Sequence, residues 1–462
     1  MLTRRRWLGA TAGTGLFHIV PRRVLGGPGY QPPSEQVQVA LVGAGGRGRQ
    51  VLRSILQEPD VRVIAVADPA AEYSLQDFYY RDVGGRQPTA RLIDEHYAAS
   101  SSCRSYVDFR DMLASLPELD AVLCATPDHL HAFVSAHCLL AGKHVYCEKP
   151  LTHNIAEARY LSRLARQVGL ATQMGNQGHA TEGMRLTCEW IWAGAIGQPT
   201  RVEAWVGGHR WNPTLTGRPP ESASPPDGLD WDLWLGPRDG YGFSSAYFPV
   251  AWRDFWAFGN SNIGDFGCHD LDAACWALDL QSPEYIEFHP AGPCNDSIGP
   301  HGCLGYFVFP PTDRRGPIEI TWYDGGLKPR RPAGWPAGKP LPGRGVLFHG
   351  TEGCLYCGGA GGRPELIRGP KDWEPPAPSL PRVPSHLRDW LDAMRTNHAP
   401  GSNFQYGAQL SEIALLGALS LRTRKPIRWD GSGGKAVGLP EADRIIDEPV
   451  REGWQLPPLP DA

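Results

Sequence analysis

Residues Val37-Gln38-Val39-Ala40-Leu41-Val42-Gly43-Ala44-Gly45-Gly46-Arg47-Gly48 decide the fold. The first six, mostly apolar, suit a buried parallel strand, and they lead directly into Gly-x-Gly-x-x-Gly. In that pattern Gly43 allows the tight turn and Gly45 lets the backbone approach a pyrophosphate. Gly48 lets the following helix, expected over 49–57, pack close to the strand with its N-terminus toward the phosphates. Alone the motif is weak. Here a second strand-like run, Val61–Ala67, ends in Asp68, 20 residues beyond Gly48. An acid at that place accepts hydrogen bonds from the adenosine ribose hydroxyls and repels a 2′-phosphate, which favours NAD over NADP.

The alternation continues outward. Asp120-Ala121-Val122-Leu123-Cys124-Ala125-Thr126-Pro127 reads as a strand with a turn at its carboxyl end, where doubly wound sheets bind ligands. A helix expected over 130–141 stops at Gly142, and the short strand His144–Cys147 runs into Glu148-Lys149-Pro150. Farther on, a two-residue rhythm predicts strands over 200–206, 303–309 and Ile318–Tyr323. Helices are expected over 387–394 and 409–421, the second apolar enough to pack between domains. Segments 212–228 and 328–344, the latter with five prolines, read as exposed loops, and the second as a lid or an arm toward a neighbouring subunit.

With these pieces in order, the chain resembles the glucose–fructose oxidoreductase / inositol dehydrogenase / rhizopine-catabolism (Gfo/Idh/MocA) superfamily. Four matches carry the resemblance: the glycine fingerprint, Ala125-Thr126-Pro127-x-x-x-His131, Glu148-Lys149-Pro150-Leu151, and Gly264-Asp265-x-x-x-His269-x-x-Asp272. The runs Met174-Gly175-Asn176-Gln177-Gly178-His179 and Trp252-Arg253 look like its export-signal-bearing subgroup. The resemblance implies an α/β Rossmann domain followed by an α+β domain with an open, largely antiparallel sheet. The expected bounds are 1–30 for a signal and linker, 36–155 for the NAD-binding domain, 156–430 for the substrate-binding and oligomerisation domain, and 431–462 for a loosely ordered tail. It also implies a homodimer or homotetramer and a cis Lys149–Pro150 bond. Cofactor contacts are expected from Gly43, Gly45, Arg47, Gly48, Asp68, Thr126, Pro127, His131 and Glu148.

Oxidising a carbinol requires a hydride acceptor, a base for the hydroxyl proton and stabilisation of the developing alkoxide. Lys149, after a strand and before Pro150, is placed to aim an ammonium at a nicotinamide pocket; a surface lysine in a turn is the bland reading. Asp265 and His269 lie four apart, one face of a helix. By resemblance His269 is the proton acceptor and Asp265 its substrate-binding or proton-sharing partner, although a buried His–Asp contact has the same spacing. His129, His131, His153 and His179 fall in no metal-ligand spacing, so no metal is expected. His179 is kept as a substrate contact, with Trp252 and Arg253, because aromatic faces stack on sugars.

The N-terminal Thr3-Arg4-Arg5-Arg6-Trp7-Leu8 opens an apolar stretch to about Val20 and resembles a twin-arginine export signal. A basic N-terminus on a cytoplasmic protein is the alternative. Export of the folded chain implies a periplasmic enzyme that grips its cofactor and restores its redox state each cycle, since no free NAD pool lies outside. The net charge of −4 leaves no basic footprint for nucleic acid. No run is long and apolar enough for a transmembrane span. Cys354-x-x-Cys357 is a redox or half-zinc motif without a second pair.

The leading expectation is therefore an NAD(P)-dependent oxidoreductase acting on a CH–OH of a sugar or cyclitol, with NAD held tightly. The alternative is redox-neutral glycoside cleavage through transient oxidation by bound NAD. A non-catalytic dinucleotide-dependent binding protein is a third reading, opposed by the joint presence of Lys149, Asp265 and His269.

Overall fold

A computed structural model describes residues 35–98, 102–221, 224–396 and 398–460. The expected twin-arginine segment, within 1–30, lies outside them.

The first six long strands form one parallel sheet. They are β1 (Val37–Val42), β2 (Val61–Ala67), β5 (Arg104–Tyr106), β6 (Ala121–Cys124), β7 (His144–Cys147) and β8 (Thr172–Met174), in the order β5-β2-β1-β6-β7-β8. Two tiny strands, β3 (Tyr73–Ser74) and β4 (Val83–Gly84), pair between β2 and the next helix. The apolar strands are buried on both faces, as a sheet sandwiched by helices requires. Because β8 belongs to this sheet, the Rossmann domain runs past the expected limit at 155. The last parallel strand is only three residues long, too short to read as a strand from its own composition.

Helix α1 (Gly46–Ile55) starts inside the glycine loop, three residues earlier than expected. Its first turn carries no acid and its N-cap, Gly45, offers no side-chain cap, so the leading N–H groups face the cavity uncapped. Helices α2 (Arg86–His96), α3 (Phe109–Ser115), α4 (Asp128–Leu140) and α5 (Ile155–Val168) complete the layers. An Asn154/Glu157 capping box starts α5 and Gly169 in the left-handed region ends it.

Beyond α6 (Glu182–Trp192) the chain builds a nine-stranded sheet. It uses β9 (Pro199–Val206), β10 (Tyr285–Ala291), β11 (Gly302–Phe309), β12 (Ile318–Tyr323), β13 (Arg344–Gly350), β14 (Cys354–Gly358), β15 (Pro364–Arg368), β16 (Ile427–Asp430) and β17 (Lys435–Ala436). The order is β15-β14-β13-β9-β12-β11-β10-β16-β17, antiparallel except for β12 on β9. Its helices are α7 (Trp231–Leu235), α8 (Ser261–Asp270), α9 (Asp272–Ala277), α10 (His386–Ala393), α11 (Phe404–Thr423) and the short α12 (Asp443–Ile446). The long α11 is capped by Asn403 and packs on α5, α8 and β10, so it ties the two domains as its apolar composition suggests. One hydrophobic core runs through the junction, from Val122 in the first sheet to Phe309 in the second.

Two expectations change. The tail after 430 is packed: Trp454 joins the core, and Glu448 is buried against Arg238, Arg422 and His153. Isolated charges and prolines made it look loose, but Glu441, Glu448 and Arg451 find partners on other segments. Apart from Arg344, the proline-rich stretch 328–344 does not line the cavity between the domains, so it is no lid. It folds back on its own sheet, where Trp335 and Leu341 pack with Trp205, Leu347 and Cys354. Cys354 lies in that outer cluster and Cys357 in the main core, because residues three apart on a strand face opposite ways. Neither forms a disulfide.

Candidate active site

The carboxyl ends of β1 and β6 open into a cavity of about 520 Å³ between the domains. Its first wall is mostly backbone. Gly43 has φ +92°, and an added Cβ would lie 2.6 Å from the Ala125 carbonyl; at Gly48 it would lie 2.1 Å from the Gly43 oxygen. These contacts are why glycine stands there. Asp68 ends β2, and its two oxygens accept from the backbone N–H groups of Ala44 (2.7 Å) and Ala70 (2.8 Å). Burial pushes its carboxyl up to about 6. Arg47 donates from Nε to Glu148 Oε1 at 2.9 Å, joining the glycine loop to the turn after β7. The second Glu148 oxygen is buried and unbonded among the described residues.

His131 lines the cavity, but its ring is occupied by the protein. Nδ1 faces the Pro150 oxygen at 2.7 Å and Nε2 the Thr126 oxygen at 2.8 Å. It therefore locks the turn after β6 to the turn after β7 instead of offering a nitrogen to a cofactor. The Lys149–Pro150 peptide is cis.

The second wall is mostly side chains. Helix α8 places Asp265 and His269 one turn apart, both on the cavity. Lys149 Nζ reaches across from the first domain and donates to the Asp265 carbonyl and to its Oδ1, each at 2.5 Å. Arg253 approaches the same Oδ1 at 3.5 Å and lies over its neighbour Trp252, 4.1 Å from the ring centre. Burial opposes ionisation of Asp265, but Lys149 and Arg253 outweigh it and hold the carboxyl well below the usual range. Burial, then Lys149 and Arg344, push His269 far below its ordinary value, so the imidazole is neutral near pH 7. Its Nδ1 is buried without a partner among the described residues. This arrangement holds an ammonium, a carboxylate and a neutral imidazole around one point, as proton removal from a hydroxyl requires.

Two matches to family models lie along these same elements. One, described as an oxidoreductase family with an NAD-binding Rossmann fold, matches residues 37–176. The other, the C-terminal alpha/beta domain of that oxidoreductase family, matches 185–306. The chain belongs to the Gfo/Idh/MocA oxidoreductase family. Among curated relatives, inositol 2-dehydrogenase of Rubrobacter xylanophilus is 29% identical over 180 residues, 37% of this chain and 44% of that protein. The matched stretches span 38–44% of the first curated relatives' lengths. Two solved structures share the fold. The WlbA dehydrogenase from Bordetella pertussis, in complex with NADH and UDP-GlcNAcA, has TM-score 0.57 and 16% identity over 86% of this chain and 99% of its own. Aldose–aldose oxidoreductase from Caulobacter crescentus, complexed with glycerol, has TM-score 0.55 and 15% identity over 85% and 100%.

Of the residues expected at this family member's site, Gly43, Gly45, Arg47, Asp68, Thr126 and Pro127 line the first wall with Glu148 and Lys149. Gly48 acts from behind, through its contact with Gly43. Trp252, Arg253, Asp265 and His269 line the second wall. His179 does not line the cavity. It is buried, with Nδ1 3.0 Å from Asp272 Oδ1 and its ring stacked on Trp276 at 4.3 Å. Asn176 and Tyr406 bond the same Asp272 carboxylate. The Gly-Asn-Gln-Gly-His run looked like a binding loop, but it is a buried polar network holding the α8–α9 turn to α11.

Several cavity residues were not anticipated. Asp128 opens α4, lines the cavity, and is pushed up to about 7 by burial against the pull of Arg253. Arg344, at the start of β13, donates from Nε to both Asp270 oxygens at 2.8 Å, and its Nη2 is buried and unbonded among the described residues. The β3–β4 connection carries Phe78, Tyr79 and Tyr80 over the glycine loop. An added Cβ at Gly46 would meet the Tyr80 ring at 2.3 Å. Tyr79 stacks on Trp211 of the second domain, centroids 5.8 Å apart, and Phe78 meets Trp211 edge-on at 6.1 Å. Trp211 is itself fixed, because the Asp254 oxygens accept from the backbone N–H groups of Trp211 and Asn212 at 2.8 Å. Asp128 had a signal, an acid directly after the Thr-Pro turn. The aromatic clasp and Arg344 had none: the clasp depends on two loops meeting across the domain boundary, and Arg344 reaches the cavity through the pairing of β13 with the distant β9.

Proposed function

We propose that the protein is an NAD(P)-dependent oxidoreductase acting on a CH–OH group of a sugar or cyclitol, with NAD retained through the cycle. The observation that carries this reading is the convergence of Lys149, Asp265 and His269 on the cavity that also holds the glycine loop. The residues present suit a dinucleotide: an uncapped helix start for the pyrophosphate and a buried acid, Asp68, at the ribose position. Asp68 is the ground for preferring NAD to NADP. When bound, NAD supplies the hydride acceptor, and the donor if the hydride is returned.

Lys149 spends two N–H donors on Asp265, and its third is free to bind the carbinol oxygen. There it lowers the hydroxyl pKa and stabilises the developing alkoxide. Neutral His269 accepts the hydroxyl proton, and Asp265 holds the ammonium in place. The aromatic clasp from Tyr79 to Trp211 supports a resident cofactor, since it crosses the domain gap above the glycine loop. Export of the folded, loaded chain by the twin-arginine machinery and assembly as a homodimer or homotetramer complete the proposal.

A second reading, redox-neutral glycoside cleavage, draws on one observation. Asp128 lines the cavity with a carboxyl that holds a proton near neutral pH and so could protonate a leaving group.

The test is to denature purified protein and measure released dinucleotide per chain. Near-stoichiometric NAD is expected. An empty protein that binds added NAD reversibly would remove the retained cofactor from the proposal. Release of p-nitrophenol from a glycoside without net NADH would select the cleavage reading.

A further inference from the structure

The substrate end of the cavity carries two arginines whose guanidinium groups are only partly used, beside the carboxyls of Asp265 and Asp128. Lys149 and Arg253 share the single carboxylate of Asp265, both directed at Oδ1. Arg253 gives Nη1 to the Val250 oxygen at 3.2 Å, and its Nη2 has no hydrogen bond among the described residues. Arg344 uses only Nε, on Asp270, which also accepts from the Ala360 N–H. Asn262, also on this wall, turns its amide N–H groups to the oxygens of Gly208 and His301. His209 faces the Arg210 oxygen through Nδ1.

Neutral hydroxyls call for no net charge in their site. Here Arg253 and Arg344 keep unused N–H donors, and with Asp128 protonated Lys149 and Arg253 are one cation more than Asp265 balances. An uncompensated charge in a half-buried cleft is costly, and a bound anion removes that cost. The planar fork of arginine matches a carboxylate with two parallel hydrogen bonds.

Resting on the oxidoreductase reading above, we propose that the substrate is a polyhydroxy acid of the uronic type, its carboxylate held by Arg253 with Arg344 and its reacting CH–OH by Lys149 and His269. Because Lys149 and Arg253 converge on one Asp265 oxygen, the carboxylate and the oxidised carbon lie close together in the substrate. A monoanion fits better than a phosphate dianion, since Asp265 and Asp128 both line the cavity. Protonation of Asp128 raises the positive excess, and burial holds that carboxyl near neutrality.

The experiment is isothermal titration of the purified protein, its dinucleotide content measured first, with matched pairs: D-glucuronate and D-glucose, D-galacturonate and D-galactose, D-mannuronate and D-mannose. Glucose 6-phosphate serves as the dianionic arm. At least one acid should bind about 10- to 100-fold more tightly than its neutral partner, the range of a charge-assisted hydrogen-bond pair. In Arg253→Gln that preference, read as the ratio of acid to neutral-sugar affinity within the variant, should collapse. Arg253→Lys, which keeps the charge and loses the fork, should restore only part of it. Arg344→Gln should lower acid affinity by a smaller factor. Three results overturn the proposal: no acid preferred anywhere in the wild-type panel, a preference unaffected by either arginine change, or the phosphate bound more tightly than every acid. The wild-type panel stands without the variants if these fail to fold. An acid preference in a protein that neither carries nor binds dinucleotide would keep the anion site and discard the oxidoreductase reading.

Discussion

The two walls of the cavity are built by different means. The first is backbone held by glycines, by Asp68 bonded to Ala44 and Ala70, and by His131 clamped between two carbonyls. The second is long side chains, Arg253, Asp265, His269 and Arg344, projected from a short turn, a helix and a strand. Backbone amides at fixed positions suit a ligand that never changes, and they tolerate almost no substitution. Side chains from a scaffold can be exchanged without moving the main chain, so this wall suits chemistry and substrate choice. The division predicts that the walls fail separately.

Changing His269 to Ala is the sharpest cut. Turnover should fall by about 10²- to 10⁴-fold, the usual contribution of a positioned acid–base group, while bound dinucleotide stays at the wild-type level. Gly48→Val should do the reverse and empty the cofactor site, because its Cβ would fall 2.1 Å from the Gly43 oxygen. Released dinucleotide per chain, assayed beside turnover, reads both variants. If His269→Ala also emptied the site, or Gly48→Val kept its cofactor, the two walls would not be independent.

That independence also explains what was legible beforehand. The first wall is local in sequence: a strand, a glycine turn, an acid at the next strand's end, and a Lys-Pro turn each announce themselves within a few residues. The Asp265/His269 pair was legible for the same reason, since helical spacing puts residues four apart together. Arg344 reaches the cavity through long-range strand pairing and Trp211 through a loop that meets another domain's loop, and no spacing rule reports such approaches. His179 misled because a glycine-rich run with a histidine looks alike whether it lines a cleft or threads a buried network. Asp272 in the core was the missing partner. The tail misled for a related reason: Glu448 looks solvated until Arg238 and Arg422, from two other segments, close around it.

The aromatic clasp bridges the walls in addition to the Lys149–Asp265 pair, and cutting it should have a moderate effect. Trp211→Ala removes the stack with Tyr79 and the edge contact with Phe78, contacts worth about 0.5–1.5 kcal/mol beyond their area. Dinucleotide release, followed by dilution and rapid filtration, should be roughly 3- to 10-fold faster, and catalysis by the loaded enzyme should be nearly unchanged. An unchanged release rate would show that the cofactor is held by the first wall alone.

An effect of another kind, on stability and not on turnover, concerns Asp128, which stands at the seam of the two walls. Burial raises its carboxyl to about 7 in the folded protein, against an ordinary value near 3.8. Below pH 4 the group is protonated in both states and costs nothing. As the pH rises from 4 to 7, the unfolded chain releases the proton and the folded chain keeps it, so stability falls through that window and levels off above it. Asp128→Asn is uncharged throughout. It should therefore come closest to the wild type near pH 3 and exceed it at pH 8, by roughly 2–4 kcal/mol, which is several degrees in melting temperature. Arg253 and Asp265 face the same group, the first held charged far above this range and the second far below it, so neither imitates the effect. A melting-temperature difference that stayed level from pH 5 to 8 would mean that Asp128 is already ionised at low pH. The positive excess on the second wall would then shrink, and with it the reason for an acidic substrate.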